Sequence, residues 1–130
     1  MILVDSSVWI DYFNGVENQA TDMLDRRLGI EEIAVADLIL TEVLQGFKTD
    51  RDYKIAKDVL TSLTILEILG TKLAIESADN FRYLRKKGIT IRKTVDVIIA
   101  TYCIESDIAL LFTDKDFVPF VKNLNLRSVL

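Results

Sequence analysis

Short apolar runs alternate along the chain with longer stretches whose apolar residues recur every three or four positions. The short runs are Ile2-Leu3-Val4, Ile33 to Ala36, Thr64 to Ile68 and Ala109 to Phe112. Their length and β-branched content predict buried strands. Between them the helical spacing dominates. Ser6 or Ser7 caps a helix through Phe13, closed by Asn14-Gly15. Residues 17–28 carry Ala20, Met23, Leu24 and Leu28, with Gly29 at the end. Asp37 caps a helix over 38–47. Residues 50–62 present Tyr53, Ile55, Ala56, Val59 and Leu60 as an apolar face. Thr71 opens a long helix to Lys87 with Leu73, Ala74, Ala78, Phe81 and Leu84 on one side. Thr94 caps a helix to about Ser106, residues 115–123 form a short one, and 127–130 a last strand. Strands alternating with amphipathic helices build a parallel sheet covered on both faces. The expected fold class is therefore α/β, a central parallel β-sheet flanked by α-helices, in a single domain over residues 1–130. In such folds a ligand lies outside the carboxyl ends of the strands.

Acidic residues break this pattern at positions where apolar ones are expected. Asp5 ends the opening run. Glu42 lies inside Leu38-Ile39-Leu40-Thr41-Glu42-Val43-Leu44. Asp96 interrupts Thr94-Val95-Asp96-Val97-Ile98-Ile99-Ala100. Asp114 follows Ala109-Leu110-Leu111-Phe112-Thr113, with Asp116 two residues on. Each has an ordinary explanation alone: a helix cap for Asp5 or Asp114, a first-turn acid for Asp96, a polar stripe for Glu42. Together they place carboxylates in apolar settings, which is costly unless their charge is compensated. The predicted topology allows all four segments to meet at the carboxyl edge of the sheet.

Composition narrows the compensating partner. The chain has no histidine and one cysteine, so a zinc site of the usual donors is not expected. Clustered carboxylates suit a hard divalent cation, Mg²⁺ or Mn²⁺, and hence phosphate chemistry. The absence of histidine excludes a Ser-His-Asp arrangement, and neither a dinucleotide-binding nor a P-loop glycine motif occurs. The lone Cys103 reads as core filler in a reducing compartment. No apolar stretch approaches a membrane span, and the opening residues are too short and acidic for a signal peptide. A cytoplasmic protein without membrane contact is expected. The net charge of −4 argues against a nucleic-acid partner, yet residues 82–93 hold Arg82, Arg85, Lys86, Lys87, Arg92 and Lys93 with no acid among them. Lys86 and Lys87 fit a helix end capped by Gly88. Arg92 and Lys93 follow the glycine and stand just before Asp96.

In order and spacing these motifs resemble the PIN-domain family, specifically its VapC-type toxins. Ile2-Leu3-Val4-Asp5-Ser6-Ser7-Val8-Trp9-Ile10 resembles the family's first motif, Thr41-Glu42-Val43-Leu44-Gln45-Gly46 the second, Thr94 to Ala100 the third, and Phe112-Thr113-Asp114-Lys115-Asp116-Phe117 the fourth. The resemblance spans the whole chain. It implies a metal-dependent endoribonuclease in which Asp5, Glu42, Asp96 and Asp114 hold Mg²⁺ or Mn²⁺, with Asp116 sharing or replacing the role of Asp114. It further implies that Ser6 assists through its hydroxyl and that Arg85, Arg92 and Lys93 hold the RNA backbone. The implied partners are an RNA substrate, a small antitoxin protein and a second copy in a homodimer. The alternatives are a PIN-domain nuclease that processes RNA without an antitoxin, and a non-catalytic domain that binds RNA or protein.

Overall fold

In a computed structural model, all residues from 1 to 130 are described. Four strands form one parallel sheet in the order β3-β2-β1-β4: β1 (Ile2–Val4), β2 (Ile33–Ala36), β3 (Thr64–Leu66) and β4 (Ala109–Leu111). Register is set by Ile2 opposite Ile33, Leu3 opposite Leu110, and Ala34 opposite Thr64. β1 and β2 are buried throughout, as continuous apolar runs require in a sheet covered on both faces. The chain starts at β1, builds outward through β2 and β3, then returns to place β4 on the other side of β1. The order thus reverses between β1 and β4, and in open α/β sheets the crevice at such a reversal takes ligands.

The covering helices are α1 (Ser6–Phe13), α2 (Gln19–Arg27), α3 (Asp37–Leu44), α4 (Asp50–Thr61), α5 (Thr71–Lys86), α6 (Thr94–Ser106) and α7 (Val118–Leu124). α6 is apolar nearly all round and is buried from Asp96 to Thr101, the sequence signature of a central helix. One hydrophobic cluster of 27 residues joins the sheet to its helices and includes Trp9, Phe117 and Phe120. No helix is long and apolar enough to cross a membrane.

Several local expectations are corrected. The predicted last strand, 127–130, is reduced to a single bridge between Ser128 and Leu110. The predicted helix 115–123 is a 3-10 turn (Lys115–Phe117) followed by α7, because Pro119 at the start of α7 lacks an amide donor and favours a new first turn there. Cap positions shift by one: Asp5 rather than a serine precedes α1, Ala36 rather than Asp37 precedes α3, and Lys93 rather than Thr94 precedes α6. α4 buries Ala56 and Leu60 but leaves Tyr53 and Ile55 exposed. Its contact with the body is narrower than its apolar face.

Candidate metal centre

The carboxylates singled out by sequence come from the strand ends and helix starts that surround the β1/β4 reversal. Asp5 directly follows β1. The Asp5 amide donates to Leu111 O at 2.9 Å, which ties the end of β1 to the end of β4. Asp114 and Asp116 lie just beyond β4. α6 leads into β4 and runs back along it, so its first turn, with Asp96, returns to the same edge. Glu42 reaches the cleft from α3. Asp96, Asp114 and Asp116 each place a carboxylate oxygen within 4.8 Å of the other two. Asp5 and Glu42 belong to the same electrostatic unit: the Asp5 charge bears on both Glu42 and Asp96, and the Asp114 charge on Asp5 and Asp96.

Hydroxyls orient part of this cluster. Ser7 Oγ donates to Asp5 Oδ2 at 2.9 Å and lies 3.4 Å from Thr113 Oγ1. The Ser6 hydroxyl lies near enough to Glu42 to favour its charged form. Asp114 Oδ1 accepts from the Asp116 amide at 2.9 Å, so one oxygen of Asp114 caps the 3-10 turn. Three other oxygens have no such partner: Asp5 Oδ1, Glu42 Oε1 and Asp96 Oδ2 are sealed from solvent without any hydrogen bond. A buried carboxylate oxygen left unpaired costs free energy of order 1–3 kcal/mol or more, and while native folds leave a few unpaired buried groups, three carboxylate oxygens in one cluster call for a compensating partner. The donor set is all oxygen. A hard divalent cation fits it.

The charge state reflects the same crowding. Asp96, 5% exposed, has its pKa pushed up to about 7, first by burial and then by the charges of Asp5, Asp114 and Glu42, with Lys93 opposing. Burial also raises Asp5, against hydrogen bonds from Ser7 and the backbone amides of Ser6 and Ser7. Glu42 is raised by burial and by Asp5, against Ser6 and Lys93. Even the Cys103 thiol, pushed up to about 12 mainly by burial, feels the Asp5 charge. Cys103 stays a protonated core residue.

The basic residues divide. Lys93 faces the acids, as its effect on Glu42 and Asp96 shows. Arg92 Nη2 pairs with Asp116 Oδ2 at 3.3 Å while its side chain stays 76% exposed, so it is partly committed to a carboxylate rather than free for phosphate. Arg85 is not brought to the acids. It lies over the Phe81 ring at 5.5 Å, in a cleft between α5 and α6. Lys86 and Lys87 form the end of α5 before Gly88 (φ +82°). Sequence reading missed Ser7 and Thr113 as parts of the cluster. Ser7 looked like a helix cap, and only the pairing of β1 with β4 brings Thr113 beside it.

The PIN domain family model matches residues 2–121. Over 98% of this chain and 97% of theirs, the sequence is 28% identical to a protein named VapC ribonuclease from Mycobacterium bovis and to Ribonuclease VapC11 from Mycobacterium tuberculosis. Among solved structures, VapBC2 from Rickettsia felis bound to a DNA fragment from its promoter superposes with a TM-score of 0.77 at 20% identity, covering 98% of this chain and 97% of that one. VapC20 from M. tuberculosis, described as a Sarcin-Ricin loop cleaving toxin, gives a TM-score of 0.68 at 16% identity over 91% and 93% of the two chains. Parallel sheet, acidic crevice and family match agree, and the chain belongs to the PIN domain family.

Proposed function

We propose that this protein is a metal-dependent endoribonuclease and the toxin of a toxin–antitoxin pair, working in the cytoplasm with Mg²⁺ or Mn²⁺. The observation that carries the chemistry is the set of three sealed carboxylate oxygens without partners, on Asp5, Glu42 and Asp96. Cleavage of RNA is suggested by the relatives named VapC ribonuclease, and the antitoxin by the fold shared with a toxin–antitoxin complex from Klebsiella pneumoniae.

Asp5, Glu42, Asp96 and Asp114 would hold the cation, with Asp116 at the rim. A bound divalent ion supplies positive charge beside the scissile phosphate and makes a water more acidic. The chain's own residues do the remaining work. Ser7 orients Asp5 through its hydrogen bond, and the nearby Ser6 hydroxyl favours the charged form of Glu42. Lys93 offsets part of the negative potential that would repel RNA. Arg92 sits at the mouth, where a backbone phosphate would have to displace Asp116 from it. The exposed apolar side chains of Ile10 on α1 and Tyr53 and Ile55 on α4 offer surface for an antitoxin segment or a second copy.

The test is cleavage of a total RNA pool with Mg²⁺, with Mn²⁺ and with EDTA, for the wild type, Asp5→Asn and Glu42→Gln. Cleavage should need the ion and both carboxylates, with the variants still folded. Full activity in EDTA or in Asp5→Asn would refute the metal mechanism.

A further inference from the structure

Outside the acidic crevice, a cleft lies between α5 and α6. It has a volume of about 490 Å³, within the range of small-ligand sites. Its walls are Ala74, Ala78 and Phe81 from α5, and Val97 and Ile98 from α6. Arg82 and Arg85 stand at one end, Thr94 lies beside them, and the lining contains no carboxylate. Ser77 contributes to the floor. It is 5% exposed, and its Oγ has no hydrogen-bond partner.

The cleft and the acids share α6. At 3.6 residues per turn, Thr94, Val97 and Ile98 fall on one face and Asp96 on the opposite one. The two sites are therefore separated by one helix diameter, roughly 10 Å, across the exposed start of α6. Arg92 and Lys93 occupy that start. A basic path thus runs from the acids over Lys93 to Arg82 and Arg85.

We propose that this cleft is a subsite for one unpaired base of the RNA, a few nucleotides from the cleaved phosphate. The proposal rests on the ribonuclease reading and extends it to substrate recognition. Unpaired bases are recognised by stacking on aromatic rings and on guanidinium planes. Arg85 is held over Phe81 at 5.5 Å, so the ring backs one face of the guanidinium and leaves the other for a base. Arg82 then meets a flanking phosphate, and a polar base edge at the floor gives Ser77 the partner it lacks. An apolar helix of a second copy would fit the walls but would desolvate two cations and leave that hydroxyl unpaired. Charge complementarity therefore favours the nucleotide.

The test uses a short single-stranded RNA with one mapped cleavage site, resynthesised with an abasic residue at each position in turn. Affinity is read with the Asp5→Asn protein, and cleavage with the wild type. One abasic position near the cut should weaken binding about tenfold, the low end of what a stacked base contributes. Ala78→Phe, which fills the cleft, should weaken binding of the intact RNA to a similar degree and abolish the abasic effect. Arg85→Ala on the exposed rim should do the same in part, and it removes only the contact with the Phe81 ring while leaving the buried walls intact. A protein that cleaves RNA but responds to no abasic position overturns the subsite alone. So does an Ala78→Phe variant that loses self-association while keeping RNA affinity. A protein that cleaves no RNA in Mg²⁺ or Mn²⁺ overturns the ribonuclease reading and the subsite with it.

Discussion

Replacing Asp96 by Asn should stabilise the metal-free protein at neutral pH while removing a proposed ligand. Asp96 is buried among like charges, and its pKa rises from 3.8 to about 7. A carboxyl whose folded pKa lies above its unfolded value contributes fully below the unfolded pKa. That contribution is lost as pH rises through the folded pKa. For Asp96 the window is from about pH 4 to about pH 7. Each unit of displacement is worth about 1.4 kcal/mol, so the whole shift sets a ceiling of about 4 kcal/mol on the strain above pH 7. Water at the cleft mouth screens part of it, leaving on the order of 2 kcal/mol.

Asn keeps the shape, carries no charge at any pH and can donate to a neighbouring carboxylate. In a chain of 130 residues, 1 kcal/mol moves the melting temperature by about 4 °C. In EDTA at about pH 7.5, Asp96→Asn should therefore melt roughly 8 °C above the wild type. The gap should shrink steadily as pH falls and close near pH 4. Adding Mg²⁺ or Mn²⁺ should raise the wild type by mass action and the variant far less. Thermal unfolding followed by circular dichroism across a pH series measures all of this. A gap that is absent at pH 7.5, or that does not change with pH, would refute the claim that Asp96 is held against its charge.

Other outcomes follow from the same geometry. Ser7→Ala removes the hydroxyl that orients Asp5; catalytic rate should fall about 10- to 100-fold, with a stability loss of only about 1 kcal/mol by melting. Lys93→Ala should weaken binding of RNA of any sequence and reduce the salt slope of log K by about one, whereas Lys86→Ala should change neither, read by affinity titration over a salt series on an Asp5→Asn background. Arg92→Ala frees Asp116 as well as removing a cation, so its loss of affinity should be smaller than that of Lys93→Ala in the same assay. Expression of the wild type alone should slow growth, Glu42→Gln should not, and coexpression with a neighbouring small antitoxin should restore growth and yield a complex without ribonuclease activity.

Sequence reading reached the strands, the parallel sheet and four of the five acidic positions through one signal, a charge inside an apolar run. That signal works because burial is dictated by local pattern: Asp5 and Asp96 are buried in the structure along with the neighbours that predicted it. The fifth acid, Asp116, sits in a polar segment and could be placed only by its distance from Asp114. Ser7, Thr113 and the Arg92–Asp116 pair depend on contacts between segments far apart in sequence, about which periodicity carries no information. The misplaced last strand has the same origin. Residues 127–130 have strand composition, but one bridge to Leu110 is all the edge of the sheet provides. Tyr53 and Ile55 show the converse, apolar spacing on α4 with no partner within the chain to cover it.

The net charge of −4 sets the protein as a whole against a polyanionic substrate, and the distribution of charge resolves that conflict. Five carboxylates, those of Asp5, Glu42, Asp96, Asp114 and Asp116, are gathered in one crevice, and their combined charge when ionised exceeds the net charge of the chain. The remaining surface is therefore not acidic on balance, and two of its cations, Arg92 and Lys93, stand beside the acids. Protonation of the raised carboxyls removes part of the negative potential, and a divalent ion would remove more. Screening limits what RNA senses to charges within a Debye length, about 8 Å at physiological salt. Over that range, on the proposed binding mode, an approaching phosphate would meet Lys93 and Arg92 before an uncompensated acid. Bulk charge averages over distances the substrate does not feel, so it is the local order of charges that decides whether RNA can bind.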